Sequence, residues 1–543
     1  MRKVLLFAIL VTLFKIASSQ VFKDNSDTTR VTVVTTNSER LEYYSQKVLN
    51  YENGTHIAMS KTSNGKTIFI KMKDNNNVES AQYVVIDSFN VKDFDIFNNK
   101  LYFCGNKSNS VSCEAFIAYV PLEDLFPNQI SIPLNPSNIK YTLINGIYQD
   151  SIFSIDRIEV FKDSNNVVIA GLGKMYYGKP PYQTLNPSPS GATMVLTDPD
   201  EYYLDFFMFY TIKENTIITN QDEVNTGSTP TYASVNNFEM FYVPTDTIGS
   251  CYYNKFADIT ETNNKIYLTS VDYSIITDSV YFTSEYLNIY SFDKSTRQQQ
   301  SAKIHLPLKI YQEYGIKTTH LTGDQFAVTL NSYNYPTRIQ TASVFKISPD
   351  TTNIFNISNI SLFDSFNGRG FETYDCEYLP REEEIIVLKK SALNNHKTDV
   401  IFHLDMSSNV SFPYYSYKYK VNLKEGSNYD IYFNDLYVYS KEDYTATGYF
   451  TEDRIVIYDT KNVGYFSNSP CFEKEIFTVT NIPQYNITSI PALEQCEFSK
   501  QAVSVVDNHL FTFYSSVPIH HVIINNKPLP NSYQSSIEIE CLK

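Results

Sequence analysis

Three acidic side chains lie close together in one stretch of the sequence, where they could bind a metal ion. Asp198, Asp200 and Asp205 occur in the run TDPDEYYLD, directly after a predicted strand. Carboxylate and carbonyl oxygens are the ligands that Ca²⁺ prefers. The stretch could therefore hold a calcium ion. The run lacks the EF-hand pattern, so a solvated acidic loop is the favoured interpretation and no cofactor is expected.

A single arginine between two glycines is a second candidate for ligand binding. Arg369 lies in the segment FNGRGFETYDCEY and is followed by Glu372, Asp375 and Glu377. The planar guanidinium donates two parallel hydrogen bonds to a carboxylate or sulfate. The nearby carboxylates could supply the pair that a glycosidase needs. Loop flexibility explains the glycines equally well, so both interpretations stay open.

Tyrosines in one proline-containing loop form the third candidate, a recognition surface. Tyr176, Tyr177 and Tyr182 lie in KMYYGKPPYQT, where two adjacent prolines exclude a central strand. The chain has 44 Tyr and no Trp, and Tyr offers a large contact area at low entropic cost. We expect these three rings to be exposed for binding, with packing against a neighbouring repeat as the alternative.

A repeated β-type module must position these residues. Its clearest copy has the turn residues Asn98 and Asn99, then the run LYFCG, a polar loop, and the run AFIAYV. Asn, Asp and Gly before such runs tolerate the positive φ of tight hairpins. About eight first runs occur, and they begin at Ile57, Leu101, Val167, Ile266, Phe326, Ile385, Leu436 and Leu510.

This pattern predicts an all-β protein, a β-propeller of four-stranded antiparallel blades. Seven blades fit the spacing best, with six or eight as alternatives. The longest gap, between Val167 and Ile266, contains LDFFMFYTI, which could belong to a further blade. A stack of β-sandwich domains is the rival architecture.

The N-terminus predicts export. Arg2 and Lys3 precede the apolar residues 4–14, and small residues follow before Gln20. Residues 1–19 are therefore expected to be a signal peptide. The apolar stretch is too short to span a bilayer, and no later segment is apolar enough, so the mature chain should contain no transmembrane segment. The product would be secreted, periplasmic or at the cell surface.

The remaining chain divides into two predicted parts. Residues 20–39 contain a β-branched stretch that could close the ring of blades, and residues 40–543 form the propeller. The run SSIEIECL near the C-terminus resembles a second terminal strand. Propellers often let one terminus complete the blade that the other begins, which removes an exposed edge.

Charge and cysteine content limit the partners and the chemistry. The net charge of −15, without a run of Lys or Arg, makes nucleic-acid binding improbable. Seven Cys follow the signal, and some should pair in an oxidising compartment. We expect Cys104 to pair with Cys113 and Cys471 with Cys496. The odd count leaves one thiol over unless the protein dimerises through it.

The copy FDIFNNKLYFCGN…CEAFIAYV resembles the repeats of secreted β-propeller proteins, including uncharacterised ones of gut Bacteroidales, over most of residues 40–530. The resemblance implies a secreted propeller but no functional residues. Two functions follow. The first is a module that binds an extracellular protein or glycan, and the alternative is an extracellular carbohydrate-active hydrolase or lyase with carboxylates along the channel. The lack of zinc-type His spacing and of a nucleophile motif favours binding over an enzyme.

Overall fold

A computed structural model gives the architecture of the chain. It describes residues 28–35, 41–51, 55–62, 67–73, 82–86, 89–107, 114–126, 140–144, 152–164, 166–177, 202–213, 231–232, 238–243, 257–275, 282–311, 316–334, 339–349, 356–363, 371–379, 384–391, 399–405, 414–419, 422–423, 431–440, 443–450, 454–461, 472–477, 479–480, 487–490, 492–493, 503–505, 513–515, 520–524 and 539–540.

The first three sheets are antiparallel, and each is built mainly from consecutive strands. Sheet 1 has the order β2 (Leu41–Tyr51), β3 (Thr55–Thr62), β4 (Thr67–Lys73), β5 (Gln82–Ile86) and β35 (Phe513–Ser515). Sheet 2 has the order β6 (Phe89–Phe97), β7 (Lys100–Lys107), β8 (Glu114–Pro121), β9 (Lys140–Ile144), β34 (Val503–Val505) and β13 (Thr231–Tyr232). Sheet 3 has the order β10 (Ile152–Asp163), β11 (Asn166–Tyr177), β12 (Tyr202–Lys213) and β14 (Phe238–Tyr242). A short helix, α1 (Leu122–Leu125), follows β8.

The next sheets repeat this plan. Sheet 4 has the order β15 (Ala257–Glu261), β16 (Lys265–Ile275), β17 (Phe282–Asp293), β18 (Gln299–Tyr311) and β33 (Ile487–Ser489). Sheet 5 has the order β19 (Ile316–His320), β20 (Phe326–Asn334), β21 (Ile339–Ser348), β22 (Asn356–Phe363) and β32 (Val479–Thr480). Sheet 6 consists of β23 (Phe371–Leu379), β24 (Glu384–Ser391) and β25 (Asp399–Asp405).

The last sheet combines both ends of the chain. Sheet 7 has the order β28 (Ile431–Ser440), β29 (Asp443–Phe450), β30 (Arg454–Lys461), β1 (Thr28–Thr35) and β36 (His520–Ile524). Two smaller pairs complete the described strands: β26 (Tyr414–Tyr419) with β31 (Phe472–Phe477), and β27 (Asn422–Leu423) with β37 (Ile539–Glu540). Strand β26 lies against β25 of sheet 6.

The first strands of the seven sheets contact one another in cyclic order. Strand β2 contacts β6, β6 contacts β10, β10 contacts β15, and β15 contacts β19. Strand β19 then contacts β23, β23 contacts β28, and β28 returns to β2. Antiparallel sheets arranged radially with their first strands innermost are a β-propeller. The predicted all-β propeller of antiparallel blades is confirmed, and the β-sandwich alternative is wrong.

Apolar clusters fill the spaces between successive sheets. In β7, Leu101 and Phe103 join the core shared with sheet 1, whereas Tyr102 and Cys104 join the core shared with sheet 3. Neighbouring side chains of a strand point to opposite faces. The second strand of such a sheet is therefore buried on both faces. The first run of a repeat, such as LYFCG in β7, lies in this strand, which explains why the run is continuously apolar rather than alternating.

Tight turns connect the first and second strands. Asn98 and Asn99 adopt φ values of 47° and 58° between β6 and β7, as predicted for a two-residue hairpin. Towards the other end of β7, Gly105 packs against the backbone of β6. A Cβ at Gly105 would lie 2.0 Å from the carbonyl oxygen of Asn90, so a larger residue cannot fit without a shift of the strand.

The structure changes the assignment of several runs. LDFFMFYTI lies in β12, the third strand of sheet 3, and does not begin a further blade. The last predicted repeat supplies the outer strands β35 and β36 of sheets 1 and 7. Outer strands need the same β-branched and aromatic residues as blade strands, so the sequence pattern did not separate them.

The N-terminal strand pairs with the last blade. Strand β1 lies antiparallel between β30 and β36 in sheet 7. The predicted boundaries after residues 19 and 39 stay predictions. Within the described part of the chain, no helix is long and apolar enough to cross a membrane.

Candidate functional site

Charged side chains from neighbouring first strands meet near the axis of the ring. Lys47 of β2, Asp93 of β6 and Arg157 of β10 each directly follow a register shift in the pairing of the first and second strands. Such a bulge redirects the next side chain out of the regular pleat. The bulges therefore direct these charges away from the regular faces of their own sheets.

The first contact joins sheets 1, 2 and 3. The Nζ of Lys47 lies 2.9 Å from Oδ1 of Asp93. Oδ2 of Asp93 accepts a hydrogen bond of 2.9 Å from the backbone N–H of Ile158 in the next first strand. The N–H of Phe94 donates to Oδ1 at 2.9 Å. One carboxylate thus connects three sheets, and few of its lone-pair positions stay open.

The second contact joins sheets 3, 4 and 5 in the same way. Nη2 and Nε of Arg157 donate to Oδ1 of Asp258 over 3.0 and 3.1 Å. Oδ2 of Asp258 accepts hydrogen bonds from the N–H and the hydroxyl of Thr318, at 2.8 and 3.1 Å. The Asp258 side chain is 2% exposed. This carboxylate is also fully engaged in contacts between sheets.

A third contact joins sheets 7 and 1. Oδ2 of Asp435 in β28 accepts a 2.6 Å hydrogen bond from the backbone N–H of Val48 in β2. We call Lys47, Asp93, Arg157, Asp258 and Asp435 the inner charge ring. Its members stabilise the contacts between sheets by pairing each charge with a partner on the neighbouring first strand.

The electrostatics of Asp93 and Lys47 agree with a tight pair. Burial acts to raise the pKa of Asp93, but Lys47, Arg157 and the hydrogen bond from Ile158 together hold it below its ordinary value. Burial acts to lower the pKa of Lys47, and the charges of Asp93, Asp95 and Glu159 outweigh it, so that pKa lies above its usual value. Both groups are charged at neutral pH.

Asp95 and Glu159 form a carboxyl pair of a different kind. Burial raises the pKa of Asp95 to about 6, although its oxygens accept hydrogen bonds from the N–H groups of Ile96 and Val160 at 2.7 and 2.8 Å. Burial and the charge of Asp95 raise the pKa of Glu159 well above its ordinary value. A carboxyl group that keeps its proton near neutral pH can act as a general acid.

The turn between the first and second strands of sheet 4 is connected to the corresponding turn of sheet 5. The carboxylate of Asp324 accepts hydrogen bonds from the N–H of Asn264 at 2.7 Å and from the hydroxyl of Thr262 at 3.0 Å. These bonds depress the pKa of Asp324 against the effect of its partial burial. The N–H of Asn263 donates to the carbonyl of Gly323 at 3.1 Å. We call this side of the ring the turn edge.

A basic and aromatic cluster extends the turn edge between sheets 3 and 4. The guanidinium of Arg297 lies 4.6 Å from the ring centre of Phe209 and 3.4 Å from Oδ2 of Asp163. Lys294 lies 5.3 Å from the ring centre of Phe161 and forms an ion pair with Glu261. These cations are engaged with partners inside the protein, so the cluster fixes the turns.

The structure places only part of the predicted binding and metal sites. Tyr176 and Tyr177 are the last residues of β11, and Asp205 lies in β12 opposite Lys174. Tyr182, Asp198, Asp200 and Arg369 lie outside the described residues, so the tyrosine surface and the calcium site stay predictions. Among the described side chains, no group of three or more His, Cys, Asp or Glu is arranged to hold a metal ion.

The predicted disulfides are also untested. Cys104 is buried, and its Sγ donates to the carbonyl of Ile155 at 3.3 Å. Burial raises the pKa of this thiol well above its ordinary value. Its predicted partner Cys113, and the pair Cys471 and Cys496, fall in parts of the chain that the structure does not describe.

The ends of the strands bring two predicted segments to one side of the ring. Strand β11 ends at Tyr177 and β12 begins at Tyr202, whereas β22 ends at Phe363 and β23 begins at Phe371. In antiparallel blades, the second strand ends on the side opposite the first turn, and so does the fourth. Both connections therefore start and end on the edge opposite the turn edge, which we call the open edge.

Sequence reasoning missed the inner charge ring. Its signal is present in two copies, since Asp93 in DFDIFNNKLYF and Asp258 in DITETNNKIYL each lie eight residues before the first apolar residue of the second strand. The other members follow bulges whose position a single sequence does not reveal. A single sequence therefore does not distinguish Lys47 and Arg157 from ordinary solvated charges.

No protein-family model matches this chain, and no curated protein matches it. Among solved structures, it is similar to the N-terminal domain of Nup159 (TM-score 0.31, 8% identity, 80% of this chain and 96% of that one). It is also similar to NanB with Optactamide (TM-score 0.28, 9% identity, 82% of this chain and 96% of that one). A third similar structure is a glycoside hydrolase family 43 arabinoxylan arabinofuranohydrolase from Bacillus subtilis with cellotetraose (TM-score 0.23, 10% identity, 86% of this chain and 96% of that one). Likeness at this level supports no inference about activity, and the resemblance to Bacteroidales propellers stays a prediction.

Proposed function

We propose that this chain is a secreted or otherwise extracytoplasmic propeller of seven blades that binds an extracellular protein or glycan. The seven sheets are the blades, and residues 1–19 are the signal peptide that is removed. The observation that carries the proposal is the use of the inner carboxylates Asp93, Asp258 and Asp435 in contacts between sheets. Groups engaged in this way hold the scaffold together and are poorly available for chemistry.

The open edge is the binding surface in this proposal. Tyr176 and Tyr177 end β11 at this edge, and the connections that contain Tyr182 and Arg369 start and end there. Tyrosine rings supply contact area, and the arginine pairs with a carboxylate or sulfate of the ligand. A calcium ion held by Asp198, Asp200 and Asp205 would belong to the same surface in this proposal. The acidic chain has no nucleic-acid partner in this account.

The test is binding of the mature chain to arrays of extracellular glycans and peptides. A variant in which Tyr176, Tyr177, Tyr182 and Arg369 are all replaced by Ala should lose binding, because it removes the aromatic contacts and the anion contact together. The matched control is Glu123→Ala, an exposed residue of α1 at the turn edge. Binding that survives in the fourfold variant, or that is lost in Glu123→Ala, contradicts the placement of the surface.

A second function, hydrolysis of a polysaccharide, is favoured by one specific observation. Asp95 and Glu159 lie on neighbouring first strands, and both have a raised pKa. One protonated and one ionised carboxyl is the arrangement that glycosidases use. The double variant Asp95→Asn with Glu159→Gln separates the functions, since it should abolish hydrolysis but leave binding at the open edge intact.

A further inference from the structure

The C-terminal part of the chain runs around the outside of the ring against the order of the sheets. Strand β31 pairs with β26 beside sheet 6, β32 with β22 of sheet 5, and β33 with β18 of sheet 4. Strand β34 then pairs with β9 of sheet 2, β35 with β5 of sheet 1, and β36 with β1 of sheet 7. We call these six strands the C-terminal belt.

The belt covers the sheet edges to which a strand of another chain could most easily be added. The fourth strand of a blade presents unpaired N–H and C=O groups outward, which can pair with another chain. In sheets 1, 2, 4, 5 and 7, a belt strand occupies that edge in antiparallel register. The same hydrogen bonds would otherwise be offered to solvent or to a second molecule.

One anchor of the belt is described in atomic detail at sheet 4. Ser489 lies opposite Ala302 in the strand register, and the hydroxyl of Ser301 donates a 2.7 Å hydrogen bond to the carbonyl of Ile490. Leu493 is 6% exposed and belongs to the apolar core between sheets 3 and 4. Its neighbour Ala492 is exposed. Among the described residues of this anchor, Leu493 is the fully buried apolar side chain and Ile490 packs half-buried against the same core.

Most of the belt strands pair over short stretches. Strands β32 to β35 pair over two or three residues and β36 and β31 over five and six, whereas β11 and β12 pair over twelve. Segments with few hydrogen bonds open at lower free energy than the rest of a protein. The belt should therefore leave the ring before the blades unfold.

We propose that the C-terminal belt is a detachable strap that keeps the protein monomeric, and that its release exposes sheet edges that pair with strands of a second copy of this chain. The ring of first strands holds without the belt, because the inner contacts between sheets do not involve belt residues. The partner is the same chain because each exposed edge already fits a belt strand.

The first test replaces Leu493 with Asp in the full chain, with Ala492→Asp as the matched control. Leu493→Asp places a charge in the core between sheets 3 and 4, which favours release of the anchor. We expect backbone hydrogen exchange in β33 to increase on the order of 100-fold, with exchange in β6 and β15 unchanged. Size-exclusion chromatography with light scattering should show concentration-dependent oligomers of Leu493→Asp and monomers of Ala492→Asp. Equal acceleration in β6 and β15, or a variant that stays monomeric with its belt released, overturns the proposal.

A second measurement applies if Leu493→Asp does not fold. A protease site is inserted between β30 and β31, and the folded full chain is then cut. We expect the belt to co-elute with the ring in buffer and to separate at a urea concentration below the unfolding transition of the blades, after which the ring oligomerises. Loss of belt and blades in one transition would show that the belt is an integral part of the ring and would refute the strap.

Discussion

Replacement of Asp93 by Ala tests the inner charge ring most severely. The substitution leaves the Lys47 ammonium without its carboxylate, at a side chain that is only 14% exposed. Breaking a buried ion pair costs about 3–5 kcal/mol. The N–H of Ile158 also loses its acceptor, which adds about 1–3 kcal/mol when no replacement forms. Because these losses overlap, we expect the free energy of unfolding to fall by about 4–5 kcal/mol.

Matched variants separate the charge from the hydrogen bond. Asp93→Asn keeps an acceptor oxygen for Ile158 and loses only the charge, so the expected loss is smaller, about 2–3 kcal/mol. Lys47→Met removes the other partner, and the double-mutant cycle should give a coupling energy of about 2–3 kcal/mol. The exposed control Glu123→Ala should change the stability by less than about 0.5 kcal/mol.

The assay is urea unfolding followed by far-UV circular dichroism, because the chain has no Trp for fluorescence. The pKa of Asp93 is lowered in the folded state, so its contribution is complete above its unfolded pKa and is lost as the pH falls below about 4. A loss for Asp93→Ala below about 1 kcal/mol, or equal losses for Ala and Asn, would refute the assigned role.

Three further predictions concern buried groups elsewhere. The pKa of Asp95 is raised to about 6, so the folded protein favours its proton. Asp95 should lower the stability by about 2–3 kcal/mol as the pH rises from about 4 to about 6, in addition to the fall that the raised pKa of Glu159 produces. Asp95→Asn should therefore show a smaller fall than the wild type in urea titrations, and a fall of unchanged size would exclude Asp95 as a source. Gly105→Ala puts a Cβ on the Asn90 carbonyl oxygen and should lower the melting temperature, whereas an unchanged value would show that β6 can shift freely. Cys104 is a free, buried thiol with a raised pKa in the structure, so it should resist iodoacetamide in the native protein and react after denaturation, whereas a Cys104 paired with Cys113 would stay unmodified in both states. Mass spectrometry measures this modification, and rapid native labelling would contradict the burial.

The repeats were sufficient to predict the class of fold but not the route of the chain. The alternation of turn residues and apolar runs, as in Asn98–Asn99 followed by LYFCG, reports local strand and hairpin preference, which a single sequence contains. The run HHVIIN has the same preference but lies in the outermost strand of sheet 7. Its position depends on pairing with residues almost five hundred positions earlier in the sequence, in β1. Such long-range pairing has no local signal.

The candidate site was predicted less well, for a related reason. Segments such as the one around Arg369 attract a functional interpretation from sequence, because loops often carry function. The charges that the structure brings together are on first strands, where Lys47 lies 46 and Arg157 lies 101 positions from its partner in the sequence. Their positions depend on bulges and on the packing of sheets, which follow from the whole ring.

The measurement that tests the central claim most directly compares the wild type with the double variant Asp95→Asn and Glu159→Gln. Both proteins are assayed for binding to the glycan and peptide arrays and for release of reducing sugar from a panel of extracellular polysaccharides. The account predicts equal binding by both proteins and no sugar release by either. Sugar release by the wild type that drops at least about 100-fold in the double variant, the size expected for loss of a general acid, would show instead that the inner carboxyls are catalytic.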